Sequence, residues 1–246
     1  MSSKPILGDS TLQDWVRIGI IYPASGLADF EFYEMAPKNV TVHVTRIPLE
    51  RSTPKCLGKL ADYAEDVAVL LAQAKVNVIA FCCTAGSFIG GPGFDREVIR
   101  KIEKSARIPA TTTSTAVLSA LDRLGARKLV VATPYIDEVN WLEKKFLEAN
   151  GFSVIKIEGL KLLNSYAIGL VKSERLHELV KRVYTPKADV IFISCGGLRT
   201  INIIEEFEEK FRIPIITSNQ ATMWAALRMA GIKTPIKGFG KLLRQY

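Results

Sequence analysis

The sequence predicts an α/β protein of two similar lobes, each a mainly parallel sheet flanked by helices, with the active site between them. Two observations carry this. Apolar strand-like runs alternate with amphipathic helical runs, as stacked βα units do. Segments of the first half also return in the second. RIGIIYP (residues 17–23) recurs as KLVVATP (128–134), and VNVIAFCCTAG around Cys83 recurs as ADVIFISCGGL around Cys195. RIPATTTSTAVLSALDRLG (107–125) recurs as RIPIITSNQATMWAALRMAG (212–231). The offsets nearly agree: 111 from Pro23 to Pro134, 112 from Cys83 to Cys195 and 105 from Ile108 to Ile213. One lobe is expected over residues 1–115, with segment 218–246 returning to it, and the other over 116–217.

Taken in order, strands are expected over 17–22, 41–47, 77–82, 110–112, 128–133, 153–158, 189–194 and 214–217. Several are unbroken apolar runs and call for cover on both faces, as parallel strands do. Thr53-Pro54 opens a helix with an N-cap and a first-turn proline, and Leu57, Leu60, Val67, Leu70 and Leu71 mark its apolar face. Ser114 precedes a helix that Gly125 ends, and Asp137 precedes one that Gly151 ends. Asn164 and Ser165 stand as N-caps before the helical run AIGLVKSERLHELVKRV.

Composition narrows the function classes. No apolar run reaches the roughly 18 residues of a membrane span, and MSSKPILGDS lacks the apolar stretch of a signal peptide. A cytoplasmic location without a membrane partner is expected. The net charge of +8 is interleaved with acidic residues, as in EEFEEKFR and KIEKSAR, and no Arg/Lys block alternates with aromatics. No nucleic acid partner is therefore expected, although a mild positive field draws in small anions. The four cysteines read as free thiols. His43 and His177 have no ligand-like spacing, so no metal is expected and Ser-His or Cys-His schemes lack their usual parts. The sequence leaves the oligomeric state open, and a homo-oligomer is compatible with it.

The chemistry gathers at matched strand ends, where open α/β sheets place ligands. In Cys83-Thr84-Ala85-Gly86-Ser87, small residues and hydroxyls present donors to an anion. Ser194-Cys195-Gly196-Gly197 has the same character, and the 112–114 and 217–219 segments add polar groups. A carboxylate held by neutral donors becomes an electron sink and makes an adjacent C–H more acidic. A thiol, with its pKa lowered by such donors, serves as base or nucleophile. Two thiols on opposite walls permit removal of a proton from one face and delivery to the other. A lone cysteine at a strand end is ordinarily core filler, and Cys82 and Cys56 are read so; the matched pair argues otherwise for Cys83 and Cys195. Tyr135 points a phenol into the site or packs, and Ser25 donates to a ligand or makes a turn. Gly90-Gly91-Pro92-Gly93 lacks dinucleotide or Walker spacing and reads as a loop near the cleft.

These motifs resemble the aspartate/glutamate racemase superfamily, in the branch that holds maleate cis-trans isomerase and arylmalonate decarboxylase. The resemblance runs from Ile18 to about Gly231 and is most specific at CTAGS, TTTSTAVLSAL, ATPYIDEVN and SCGGLRT. It implies two pseudosymmetric flavodoxin-like lobes and chemistry without metal or organic cofactor. By position, Cys83 is similar to the isomerase nucleophile and Cys195 to the second thiol, a proton donor. Tyr135 matches a tyrosine that contacts a substrate carboxylate, with Thr84, Ala85 and Gly196 in the carboxylate pocket. Isomerases carry an asparagine where this chain reads Pro23-Ala24-Ser25-Gly26, and Asn164 is a candidate for a second such asparagine. The expected function is a cofactor-independent isomerase or racemase of a small carboxylic acid, most simply of the maleate type. Alternatives are decarboxylation of a substituted malonate, racemisation of an amino acid, or a catalytically silent carboxylate-binding protein.

Overall fold

The computed structural model describes residues 14–246, so the reading of residues 1–10 as leader-free lies outside the described residues. The first lobe runs β1 (Val16–Pro23), α1 (Phe30–Glu34), β2 (Val40–Ile47), α2 (Pro54–Gly58), α3 (Ala64–Gln73), β3 (Val78–Phe81), α4 (Thr84–Phe88), α5 (Phe94–Ala106), β4 (Ala110–Thr112) and α6 (Thr113–Arg123). The second runs β5 (Lys128–Thr133), α7 (Asp137–Ala149), β6 (Ser153–Gly159), α8 (Ser165–Gly169), α9 (Ser173–Val183), β7 (Val190–Ile193), α10 (Ile204–Phe211), β8 (Ile215–Thr217), α11 (Ser218–Met229) and α12 (Gly240–Gln245). The two sheets are parallel, in the orders β2-β1-β3-β4 and β6-β5-β7-β8. The orders are the same with the strand numbers advanced by one lobe, so the sequence repeat is a repeat of topology. VIAF of β3 and VIFI of β7 are wholly buried, as strands covered on both faces must be.

The RIP repeat has a physical cause. Arg107 and Arg212 end α5 and α10 in the left-handed conformation, with φ of 56° and 58°. Pro109 and Pro214 then forbid further helix. Four residues before each arginine, Glu103 or Glu208 accepts a strand N–H, from Ala110 at 3.1 Å and from Ile215 at 3.2 Å. Thr112 and Thr217 cap the helices that follow, each accepting from the N–H three residues on. Each such cap is worth about 1 kcal/mol.

Helix boundaries depart from expectation in four places. The helix expected after Thr53 is α2, a 3-10 turn over Lys59–Asp62, and α3. Gly58, a poor helix former, ends the first piece. The restart puts Ala64, Ala68 and Leu71 on the buried face and leaves Leu70 56% exposed. Ser114 is not a cap, because Thr112 takes that role two residues earlier. Asp137 is the first residue of α7 and adds negative charge to its first turn rather than capping it. The run after Asn164 breaks into α8 and α9, and a Cβ on Gly169 would meet Leu27 at 2.8 Å.

The C-terminal segment packs on elements of both sheets. α11 lies on β3, β4 and α6 as well as β8. α12 lies on α10 and β8, where Arg244 pairs with Glu205 and the Lys241 N–H donates to Glu208. Among the described residues, no helix is long and apolar enough to cross a membrane.

Candidate active site

In a sheet of this order the chain leaves β1 and β3 in opposite directions, opening a crevice at their carboxyl ends. The two lobes bring both crevices to one small cavity, about 30 Å³ in volume. Pro23, Ser25 and Gly26 enter it after β1, and Cys83, Thr84 and Ala85 after β3. Tyr135 enters after β5, and Cys195, Gly196 and Gly197 after β7. Among the described residues the lining holds no lysine, arginine or histidine, so an anion here meets neutral donors.

The two sulfurs are held by similar means on dissimilar backbones. Cys83 is extended (φ −134°) and caps α4, its Sγ accepting from the Gly86 N–H at 3.4 Å. A Cβ on Gly86 would lie 3.0 Å from that sulfur, so glycine allows the approach. Cys195 sits at φ 103°, a conformation that non-glycine residues avoid, and its Sγ accepts from the Gly197 N–H at 3.4 Å. Ser218 joins the walls: its Oγ accepts from the Thr84 hydroxyl at 2.8 Å and from the Cys195 N–H at 2.9 Å.

Both thiols resist ionisation, against the expectation that donor-rich loops make them acidic. Burial pushes Cys83 up to about 12, with the Gly86 N–H pulling back and a charge on Cys195 pushing further. Burial pushes Cys195 up to about 11, opposed by the Tyr135 hydroxyl and the Gly197 N–H. The reason is that one or two N–H···S contacts do not replace the water a thiolate loses on burial.

Of the expected substrate-contacting residues, Thr84, Ala85, Tyr135, Gly196 and Ser25 line the cavity with both cysteines. Tyr135 is 2% exposed and packs edge-on against Phe88. Ser25 is committed to the Leu49 carbonyl. Asn164 stands outside the lining, its side chain accepting from the Ala167 N–H at 2.9 Å as the cap of α8. The 90–93 loop does not line the cavity either. Residues 112–114, 218 and 219 form the buried polar layer behind it, as in the Ser87–Ser114 bond of 2.7 Å. The Cys82 thiol donates to the Ala80 carbonyl.

Sequence reasoning missed the roof and two buried acids. Leu49, Ser52 and Leu57 from the first lobe face Ser165 and Ile168 from the second. Their strands of chain pair across the mouth: Ser52 N–H to Leu163 O at 2.8 Å, Ser165 N–H to Glu50 O at 3.0 Å, and the two serine hydroxyls at 3.0 Å. Glu31 accepts from the Thr200 and Ile201 N–H groups and from Asn219, fixing the loop after Cys195 to the first lobe. Asn219 and the Tyr22 hydroxyl both donate to the Gly196 carbonyl. Glu143, buried on α7, accepts from the Ser194 hydroxyl at 2.5 Å. A charged residue in the apolar stripe Val139, Asn140, Glu143, Phe146, Leu147 was the available signal.

Comparison with known proteins agrees with this architecture. The arylmalonate decarboxylase of Bordetella bronchiseptica is 30% identical over 226 residues, 91% of this chain and 94% of that one. A maleate isomerase variant from Pseudomonas putida, solved with maleate, superposes with a TM-score of 0.90 at 24% identity, over 93% of this chain and 97% of that one. A Nocardia farcinica maleate cis-trans isomerase variant with a covalently bound succinylcysteine intermediate gives 0.89 at 21%, over 94% and 99%. The family model described as arylmalonate decarboxylase matches residues 18–243, and the chain belongs to that family.

Proposed function

We propose that this protein is a cofactor-independent isomerase of a small unsaturated dicarboxylate of the maleate type. The observation that carries the reading is the pair Cys83 and Cys195, from equivalent strand ends of the two lobes, on one cavity with Tyr135. The succinylcysteine in the Nocardia relative supports it.

The working form has Cys83 as thiolate and Cys195 as thiol. The Cys83 sulfur adds to one olefinic carbon, and the π electrons pass toward the neighbouring carboxylate as an enediolate. Cys195 then gives its proton to the adjacent carbon. The former double bond is now single and rotates. The Cys195 thiolate takes back a proton, the C–S bond breaks toward sulfur, and the trans isomer leaves with both thiols as they began. The N–H groups of Thr84, Ala85 and Gly196, with the Tyr135 hydroxyl, are the donors assigned to the carboxylates. Neutral donors suit this because they stabilise the enediolate more than the starting carboxylate.

A second reading is favoured by the 30% identity to a decarboxylase. The apolar wall of Leu49, Leu57 and Ile168 would accept an aryl group, carbon dioxide would leave, and Cys195 would protonate the enediolate. Incubation with maleate, an arylmalonate and aspartate in deuterated water separates the readings. Fumarate supports isomerisation, carbon dioxide supports decarboxylation, and α-deuteration of aspartate alone supports racemisation. Tight binding of a carboxylate that survives Cys83→Ser and Cys195→Ser, with no turnover in the parent, would leave only a binding protein.

A further inference from the structure

Behind Cys195 lies a carboxyl group for which the chemistry above has no use. Glu143 is 1% exposed on the inner face of α7. Its Oε1 accepts from Ser194, and its Oε2 is buried without a partner. Ser194 immediately precedes Cys195, whose strained backbone is held on the other side by Ser218. The carboxyl therefore grips the residue next to the sulfur.

We propose that Glu143 is a positioning residue for Cys195: neutral, it lets the sulfur carry negative charge, and ionised, it holds the sulfur as the thiol. This rests on Cys195 being the acid and base of the proposed reaction. A buried carboxylate usually gathers several donors. Here Ser194 alone serves, and burial pushes Glu143 up to about 8. Its charge, once formed, raises Cys195 and also Tyr135, the donor to Cys195.

The neighbouring groups leave this coupling in place. α4, packed on α7, carries no titratable side chain beyond its cap, Cys83. On β6, Lys156 and Glu158 are partly exposed and joined to each other and to Arg182. On α7 itself Asp137 pairs with Lys161, Lys144 with Glu148, and Lys145 lies over the Trp141 ring.

The test is the rate of alkylation of each cysteine by iodoacetamide from pH 6.5 to 10.5, resolved by peptide mass spectrometry, in the parent and in Glu143→Gln. Glutamine keeps an acceptor for Ser194 and cannot ionise. In the parent, the logarithm of the Cys195 rate should rise with unit slope, flatten near pH 8 to 9, and rise again. In Glu143→Gln the flattening should vanish, with Cys195 alkylated about tenfold faster at pH 9.5 and Cys83 within about twofold of the parent. An unbroken parent profile overturns the proposal, as does a substitution that changes both cysteines alike. Should the variant fail to fold, the parent profile decides alone. Since no turnover is read, a protein inert toward every carboxylate would defeat the proposed function and leave this result standing.

Discussion

The pH dependence of turnover separates a two-thiol reaction from a one-thiol reaction. Addition to a double bond needs Cys83 as thiolate, and burial places that thiol at about 12. At pH 8 about one molecule in ten thousand then carries the charge, and each pH unit multiplies that fraction about tenfold. Cys195, at about 11, stays protonated as the acid over the same range. Because kcat/KM reports the free enzyme, its logarithm for maleate should climb with a slope near one from pH 7 to 9.5. Fumarate is fully ionised there and maleate nearly so, so substrate titration adds little slope. Decarboxylation of an arylmalonate needs only the Cys195 thiol, and its kcat/KM should be flat across the interval. Fumarate release followed by ultraviolet absorbance and carbon dioxide release by manometry give the two profiles. A flat maleate profile, or one that falls above pH 7, would refute the assignment of Cys83 as a resting thiol that must ionise.

Three further outcomes are expected. Stability should fall as pH rises from 6 to 9: Glu143, at about 8, and Glu31, at about 7, keep their protons in the fold beyond the pH at which an unfolded glutamate loses them. The native state therefore binds more protons between about 4.5 and 8, and ionisation costs on the order of 3 kcal/mol for Glu143 across that rise, or about 5–10 °C in Tm by calorimetry; Glu143→Gln should flatten the dependence. Ser218→Ala strands the Thr84 hydroxyl and the Cys195 N–H, each at a cost of about 1–3 kcal/mol; turnover should drop at least about tenfold, and an unchanged kcat would show that the bridge between walls is idle. Gly86→Ala drives a methyl to 2.9 Å from Leu60 and 3.0 Å from the Cys83 sulfur; isomerisation and Cys83 alkylation should fall together about tenfold, while Cys195 alkylation holds.

Most of the scaffold was legible because its cause is local and repeated. The strands are apolar runs, and RIP ends a helix through one left-handed arginine and one proline, twice. The cysteines were legible for the same reason: duplication marks equivalent strand ends, and parallel sheets expose those ends to ligand. The roof was not, because Ser52 meets Ser165 through the packing of one lobe on the other, 113 positions apart in sequence. Asn164 carried two readings, cap and carboxylate contact. Its residue type suits a carboxylate and its position suits a cap, and the backbone geometry at the start of α8 uses it as the cap. Acidity was misjudged because donor count is visible in a loop sequence whereas desolvation is a property of the assembled fold. Glu143 and Glu31 were overlooked because their partners, Ser194 and the Thr200–Ile201 amides, belong to other elements.

Two descendants of one loop have been made different in shape yet nearly equal in acidity. Cys83 is extended with one N–H on its sulfur, whereas Cys195 is left-handed and has Tyr135, Gly197 and Leu198 as donors and Glu143 as an opposing charge. The result is about 12 against about 11. In the proposed reaction Cys83 bonds to carbon while Cys195 gives the proton and takes it back, so similar acidities serve two different tasks. A reaction that must add and remove a proton at one carbon, running in either direction, is served by a weakly acidic thiol whose thiolate recovers the proton. A strongly acidic thiol in place of Cys195 would give the proton readily and leave a thiolate too weakly basic to take it back. Burial at the two strand ends is what keeps both thiols weakly acidic.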